Sequence, residues 1–355
     1  MTVTASAVDW LLESDEPGIV FQTRRDLLDA EEPEEAAHVL EGPKVRALLA
    51  GQRPDGGFGV HAYGKWGGAH WRLVSLVELG VPPGEPRCVA AAQTVLDWLT
   101  GAGHRSRIET IEGLTRRCGS QEGNALAVCC RLGLAEDPRV RLLADSLVEW
   151  QWPDGGWNCD RNASGYRSSF HESLPPMWGL DEYAVATGDR AAREASRRTA
   201  ELFLEHRLFR RLSYGAPIHP SFVTLHHPPF WHYDVLQALV VLARMGLAGD
   251  QRAADGLDVL QERRLGDGRW RPGARWWRPP GSSGSNVEVV DWGSGPSELI
   301  TLNALRVLRG AGRSSPAAPD QASLRSSVEP SSAMVQPGLC ATSHGWPSGS
   351  TKTPE

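Results

Sequence analysis

The stretch QWPDGGW (residues 151–157) occurs in nearly the same form about a hundred residues earlier, as QRPDGGF (52–58). A third, weaker copy, QERRLGDGRW (261–270), follows after a similar interval. A phrase that recurs at a regular interval is typical of a repeating architecture. Gln can satisfy backbone groups at a helix end, Asp-Gly-Gly favours a turn with positive φ, and the aromatic ring can pack on a neighbouring helix. We therefore interpret each copy as the joint between an outer helix and the inner helix that follows it.

The composition indicates a globular protein without a surface for nucleic acid. Hydrophobic residues make up 41% of the 355, and 37 Lys and Arg are scattered among 43 acids, with a net charge of −6. The sequence does not open with a basic segment followed by an apolar run, and no window reaches about 18–20 uninterrupted apolar residues, so we expect no transmembrane segment. Six Cys without regular spacing suit a reducing compartment, so we expect a cytoplasmic protein.

Two kinds of helical segment alternate along the chain. Segments 138–150 and 190–206 are amphipathic with a charged face, which is typical of outer helices. Segments 70–80, 123–133 and 232–246 are apolar on nearly every side and end in Gly, which is typical of inner helices. Pairing each outer helix with the next inner one predicts six hairpins, whose inner helices begin near Ile19, His70, Glu122, His171, His232 and Ser297.

These hairpins predict an all-α fold. Residues 5–312 are expected to form one domain, a single (α/α)6 toroid, because a closed ring buries its inner helices without capping repeats. From residue 313 the composition changes to Ser, Pro, Ala and Gly, with little patterned apolar surface. We therefore expect residues 313–355 to be a disordered C-terminal tail.

The phrases at 52–58 and 151–157, in their helical-hairpin setting, resemble the QW repeats of a known superfamily. It includes the squalene-hopene cyclases, the class II terpene cyclases and the protein prenyltransferase β-subunits. The resemblance covers roughly residues 5–312 by repeat phase and implies an (α/α)6 toroid with a central cavity that takes an isoprenoid. The Asp-x-Asp-Asp motif of class II cyclases is missing, and the length allows one toroid where squalene cyclases have two. QW repeats report the scaffold, so the chemistry depends on other residues.

Polar and aromatic side chains gather at the first turns of the predicted inner helices, which would face the mouth of such a cavity. His70, His171 and His232 recur there in matching phase, and a neutral imidazole gains nothing from a positive helix end. We predict catalytic roles for Asp234, His232, His171 and Glu122. Substrate-binding roles are predicted for His70, Trp71, Arg72, Glu172, Trp178, Trp231 and Glu298. The alternative for the acids is that they cap helices.

Asp234 is the predicted proton donor. It lies in the phase in which class II cyclases carry their acidic motif, flanked by Trp231 and His232. An apolar, aromatic surrounding would keep its carboxyl protonated, so that it could protonate an alkene. The alternative is an N-cap role. This main interpretation, an enzyme acting on a small apolar or isoprenoid ligand, requires no cofactor.

Three other interpretations stay open. Cys159, His171 and His232 could bind zinc with an open fourth position, which would make the protein a zinc-dependent enzyme. Sugar-active enzymes also use (α/α)6 barrels with acids and Trp platforms. A toroid that binds a ligand without catalysis needs none of these groups. The strongly apolar inner helices favour an isoprenoid over a sugar.

Overall fold

The computed structural model describes residues 6–30, 34–213 and 215–313. This part of the chain is mostly helical, and its helices are, in chain order, α1 (Ala7–Leu12), α2 (Pro17–Leu28), α3 (Glu35–His38), α4 (Pro43–Leu49), α5 (Ala69–Glu78), α6 (Pro86–Thr100), α7 (Ala102–Arg105), α8 (Gly119–Arg131), α9 (Pro138–Trp150), α10 (Phe170–Thr187), α11 (Arg190–Glu205), α12 (Val235–Arg244), α13 (Ala254–Glu262) and α14 (Glu298–Gly310). Apart from Arg313, the predicted tail at 313–355 lies outside the described residues, as does residue 5. None of the described helices combines the length and hydrophobicity that crossing a bilayer requires.

A short antiparallel hairpin is the part of the fold that the all-α prediction missed. Strand β1 (Glu109–Ile111) pairs with β2 (Leu114–Arg116). The two residues of the turn, Glu112 and Gly113, have φ of 52° and 74°. Positive φ at both central residues is the geometry of a tight hairpin turn, which the single Gly in this segment only weakly signals.

The six predicted inner helices begin within about a turn of the predicted residues, as α2, α5, α8, α10, α12 and α14. The largest offsets are three residues, at α8, which starts at Gly119, and at α12, which starts at Val235. Helix α12 starts after the predicted residue because Asp234 is its N-cap and accepts the backbone N–H of Gln237 at 3.0 Å. Helix α14 is capped in the same way by Ser297, which accepts the N–H of Ile300 at 3.3 Å.

Successive inner helices contact each other. Gln22 of α2 donates its amide to the carbonyl oxygen of Glu78 at the end of α5 at 3.1 Å. Helix α5 contacts α8, α8 contacts α10, α10 contacts α12, α12 contacts α14, and α14 contacts α2. The outer helices α1, α4, α6 and α9 each contact the inner helix that follows in the chain. Helices α1 and α14, at the two ends of the described chain, also contact each other.

Helices α8 and α10 approach closely because both carry glycine at the crossing. A Cβ on Gly123 would overlap the backbone of Pro175 and Pro176, and a Cβ on Gly179 would overlap the carbonyl oxygen of Gly123. At the start of α8, a Cβ on Gly119 would lie 2.9 Å from the carbonyl oxygen of Glu172. The first turns of these two inner helices are therefore in direct contact.

The QxPDGG joints contain the predicted turns, but their Gln side chains reach an outer helix. Gly56 and Gly155 have φ of 84° and 93°. Gln151 donates to the carbonyl oxygens of Gly155 at 2.8 Å and Ala195 at 2.9 Å, and Ala195 belongs to α11. In the same way, Gln52 donates its side-chain amide to the carbonyl oxygens of Gly56 and of Arg87, which lies in the first turn of α6. Each of these joints therefore links two consecutive outer helices.

The third joint is shifted by three residues from the predicted alignment. Arg264 takes the place of the Gln, because its Nε donates to the carbonyl oxygen of Gly268 at 3.3 Å. Trp270 then matches Trp157, and its indole N–H donates to the carbonyl oxygen of Leu260 at 2.7 Å. The weak third copy therefore forms the same kind of turn with a guanidinium in place of an amide.

Candidate functional site

A pocket lies between four of the inner helices, α5, α8, α10 and α12, and the segment that precedes α12. The pocket opens to solvent, and the space between its atoms together with this open part is about 420 Å³. Seven of its lining residues are apolar: Leu174, Pro175, Trp178, Pro229, Phe230, Val240 and Val241. The polar ones are Glu78, Asn124, His232, Gln237 and Arg244.

Most polar groups of the pocket wall already have partners within the protein. Asn124 donates its side-chain amide to the carbonyl oxygen of Phe230 at 2.8 Å. Gln237 reaches the carbonyl oxygen of His226 at 3.5 Å, and Arg244 donates to Glu78 at 3.2 Å. Because these hydrogen bonds use the polar groups internally, the surface offered to a ligand is mainly apolar.

Charged side chains form a network where the inner helices end. Arg244 of α12 bridges Glu78 and Glu182, and Arg131 of α8 donates to Glu182 at 3.1 Å. Trp178 donates its indole N–H to Glu182 at 2.9 Å. Burial raises the pKa of Glu78, but Arg244 and Arg131 more than offset this and hold it below its ordinary value. The buried carboxylate therefore stays charged and paired.

His232 lies in an aromatic stack at the other end of the pocket. Its ring is 3.9 Å from that of Trp231 and 4.5 Å from that of Trp276, with the planes nearly parallel. Burial lowers its pKa to about 2, so the imidazole is neutral at neutral pH. The Nδ1 atom is buried without a hydrogen-bond partner. His232 therefore supplies a flat, neutral wall to the pocket.

Two thiols and a carboxylate meet at the first turns of α8 and α10. The Sγ atoms of Cys118 and Cys159 and a carboxylate oxygen of Glu172 all lie within 4.8 Å of one another. The backbone N–H of Arg117 donates to the carbonyl oxygen of Asn158 at 3.0 Å, which brings the two cysteines, each the next residue along, side by side. This cluster could hold a metal ion, and the sequence analysis placed only Cys159 in a metal site.

Lys65 lies close to this cluster. Its ammonium sits 5.1 Å from the ring centre of Trp231 and 5.5 Å from that of Trp66. Burial lowers the pKa of Lys65, and the nearby Cys118 and Glu172 partly offset this. The lysine connects the thiol cluster with the aromatic stack.

Asp234 is placed as an N-cap and does not line the pocket. Its carboxylate accepts the N–H of Gln237 at 3.0 Å and the N–H of His226 at 2.9 Å, and it pairs with the His226 ring at 2.6 Å. The side chain is fully buried. Both oxygens of the predicted proton donor are thus occupied by neighbouring groups.

The predicted zinc ligands do not meet. His171 accepts the backbone N–H of Tyr233 through Nδ1 at 2.8 Å, and its ring centre is 6.5 Å from that of His232. Burial lowers the pKa of His171 to about 4. Within the described residues, Cys159 groups with Cys118 and Glu172 instead of the two histidines.

Two other predicted acids have protein partners. Glu122 binds the Nε of Arg117 and the Nε2 of His104, each at 2.9 Å. Burial raises the pKa of Glu122, but these partners hold it below its ordinary value. Glu298 accepts the hydroxyl of Ser14 at 2.6 Å and the ammonium of Lys44 at 3.3 Å. Both acids therefore join separate segments of the chain.

The three predicted ligand-binding residues of α5 lie outside the main pocket. His70 lies against a separate group of apolar residues that leaves no room for a water molecule, and burial lowers its pKa to about 3. Trp71 is buried and donates to the carbonyl oxygen of Tyr63 at 3.0 Å. Arg72 donates to backbone carbonyl oxygens, including that of Gly67 at 2.7 Å, and stacks on Phe58. Of the predicted site residues, Trp178 and His232 line the pocket.

The sequence analysis passed over three groups of chemical interest. Cys118 stands four residues before the predicted site residue Glu122, and this nearness was the one signal for it. Lys65 was considered from the sequence only as a possible contact for a diphosphate or carboxylate headgroup. Glu288 is 2% exposed, and burial raises its pKa to about 7. Glu288 lies in a loop segment without periodicity, so no sequence signal marks it.

Comparisons with known proteins do not identify a family. No family model matches the chain, and no curated protein matches it. Among solved structures, the crystal structure of a protein from Actinoplanes is similar, with 17% identity and a TM-score of 0.39. The match covers 84% of this chain and 90% of that chain. A likeness this distant indicates neither the fold nor the function.

Proposed function

We propose that this chain is a single (α/α)6 toroid of the QW-repeat type, and that it binds a small isoprenoid between its inner helices and acts on it as an enzyme. The observation that carries the proposal is the mainly apolar lining of this pocket. Pockets for small molecules are usually lined largely by hydrophobic and aromatic side chains, with a few polar groups.

The contacts of the inner helices support a closed ring. Each inner helix contacts the next one, and the last, α14, contacts α2 again. An open array of hairpins would keep its first and last inner helices apart. The contact between α1 and α14 also fits a ring whose ends meet.

The chemistry of the pocket wall favours an isoprenoid over a sugar. A saccharide carries hydroxyl groups along its length and needs many hydrogen-bond partners, but the Asn124 and Gln237 amides already bond backbone carbonyls. Trp178 and Phe230 offer aromatic rings, which attract the positive charge of a carbocation. An unsaturated hydrocarbon chain therefore suits this wall better.

Proton donation by Asp234 has less support than ligand binding. Its two oxygens accept hydrogen bonds from His226 and Gln237, and it does not line the pocket. Activity on the isoprenoid would then depend on His232, which lines the pocket, and on Lys65, whose ammonium lies over the ring of the neighbouring Trp231. A protein that binds the ligand without turning it over is the second candidate, and the internally paired polar groups favour it.

Equilibrium dialysis with labelled farnesol tests the binding. Val241 lines the pocket and is 5% exposed, so Val241→Trp should fill the space and weaken binding at least about tenfold. The control is Val185→Trp, because Val185 is 73% exposed on α10. Circular dichroism and thermal melting check that both variants fold.

The results separate the candidate functions. Farnesol binding that Val241→Trp weakens and Val185→Trp leaves unchanged supports the pocket, and new products from farnesyl diphosphate support an enzyme. Binding without products favours the second candidate. Binding of an oligosaccharide in place of farnesol, or equal effects of the two variants, contradicts the proposal.

A further inference from the structure

We propose that Cys118, Cys159 and Glu172 form a zinc site with one coordination position open to water or a ligand. The three potential ligand atoms lie within 4.8 Å of one another on three separate segments. Zinc prefers thiolate, imidazole and carboxylate ligands, and three protein ligands with an open fourth position are typical of catalytic zinc. This inference is independent of the isoprenoid ligand.

The backbone around the cluster holds the ligands in place. The backbone N–H of Arg117 donates to the carbonyl oxygen of Asn158 at 3.0 Å, and this hydrogen bond aligns the two segments that carry the cysteines. The close approach of Gly119 to the carbonyl oxygen of Glu172 holds the starts of α8 and α10 together. The starts of α8 and α10 are therefore held together, and a bridge between Arg116 and Asn158 holds the loop of Cys159 beside them.

Glu172 is already oriented toward the thiols. Its Oε2 accepts the backbone N–H of Ser120 at 3.0 Å, which leaves Oε1 directed at Cys159 Sγ, 3.7 Å away. Such a hydrogen bond to the far oxygen is what outer-shell groups do for metal-binding carboxylates. One oxygen is thus fixed by the backbone, and the other accepts a hydrogen bond from the Cys159 thiol, a contact that a zinc ion would replace.

Glu172 forms no close ion pair with a cation. Its side chain is 9% exposed, and among the described residues no Lys, Arg or His nitrogen lies within 4.0 Å of its carboxylate. Buried carboxylates are normally paired with a cation or bound to a metal. A zinc ion beside Glu172 supplies that charge.

The charge balance of the filled site is reasonable. Two thiolates and one carboxylate carry three negative charges, so a zinc ion leaves one. Lys65 is near enough to Cys118 and Glu172 to interact with both, and Arg117 interacts with Glu172. These cations offset the remaining charge. Zinc binding would release protons, because the thiols must lose theirs to coordinate.

Cobalt titration of the reduced, metal-free full-length chain tests the site. Cobalt in a tetrahedral thiolate site gives a thiolate-to-metal charge-transfer band and strong visible bands, and we expect both at one equivalent, with loss on adding zinc. Cys118→Ser and Cys159→Ser should each remove the charge-transfer band. Loss of an outer-shell partner usually weakens metal binding about 10–100-fold. Glu172→Gln removes a ligand itself, so it should weaken zinc binding by at least that factor.

The matched control is Cys130→Ser. Cys130 is on the same helix, α8, but is not part of the cluster, so this variant should bind cobalt like the native chain. Zinc should also raise the melting temperature of the native chain and of Cys130→Ser, and not that of Cys159→Ser. This second readout distinguishes a lost ligand from a variant that fails to fold.

Three results would overturn the zinc site. The first is that the reduced native chain shows no charge-transfer band when cobalt is added. The second is equal zinc affinity in Cys118→Ser, Cys159→Ser and Cys130→Ser. The third is isolated protein without zinc, in which peptide mass spectrometry finds a Cys118–Cys159 disulfide.

Discussion

Trp157 donates its indole N–H to the carbonyl oxygen of Leu147 at 3.1 Å, and both side chains are fully buried. The hydrogen bond thus joins the indole to the last turn of α9, ten residues earlier in the chain. Trp270 repeats the same bond to Leu260 at 2.7 Å. The aromatic residue of the joint is therefore an anchor of the scaffold, and it does not line the pocket.

The first prediction is that Trp157→Ala destabilises the fold without a selective effect on a pocket ligand. Loss of a buried Trp ring usually costs about 3–5 kcal/mol. The control is Tyr166→Ala in the same loop, where the side chain is exposed and the change should stay within about 0.5 kcal/mol. Urea unfolding measures both free energies. Similar losses in the two variants would argue against the anchor.

The second prediction concerns the helix crossing at Gly123. Alanine favours a helix over glycine by about 1 kcal/mol, but here its Cβ would overlap the backbone of Pro175 and Pro176. Gly123→Ala should therefore lower the free energy of unfolding by at least about 1–3 kcal/mol. Gly103→Ala in α7, where a Cβ meets nothing within 4 Å, should be neutral or stabilising. A stable Gly123→Ala variant would mean that the helices separate easily.

The third prediction is an acid-dependent loss of stability from His70. Burial lowers its pKa to about 3 in the folded chain, against an ordinary 6.5. As the pH falls below about 6.5, the unfolded chain binds a proton that the folded chain does not, so stability falls until the pH reaches about 3. His70→Phe keeps a ring and removes this contribution. From pH 7 to 5.5 it should lose about 1 kcal/mol less stability than the native chain, as measured by urea unfolding at both pH values.

The fourth prediction has the opposite sign and concerns Glu288. Burial raises its pKa to about 7, from an ordinary 4.5. Between these values the unfolded chain loses a proton that the folded chain keeps, so stability falls as the pH rises from about 4.5 to about 7. In the native chain this lowers the free energy of unfolding by up to about 3 kcal/mol over this pH range, and Glu288→Gln should remove that loss in urea unfolding. The same slope in the variant and the native chain would show that Glu288 ionises normally.

Sequence patterns predicted the helices well and the site only in part. The apolar runs that end in Gly, such as the one before Gly80, correctly marked helices, because the helical period and the Gly at a helix end are local properties. The β1–β2 hairpin was missed because its turn has little sequence signal. Asp234 was expected at the cavity, but its side chain caps α12 and pairs with His226, which only folding brings within 2.6 Å.

The sequence by itself determined the helices α2, α5, α8, α10, α12 and α14, the glycine turns of the joints and the aromatic residues at those joints. These features follow from the spacing of apolar residues and from the backbone freedom of Gly. Only the tertiary structure decided which side chains of the helix starts meet. Cys118 reaches Cys159 through the bond from Arg117 to Asn158, and both reach Glu172 because α8 and α10 pack closely at glycine. Residues this far apart in the chain become neighbours through packing, which no local pattern encodes.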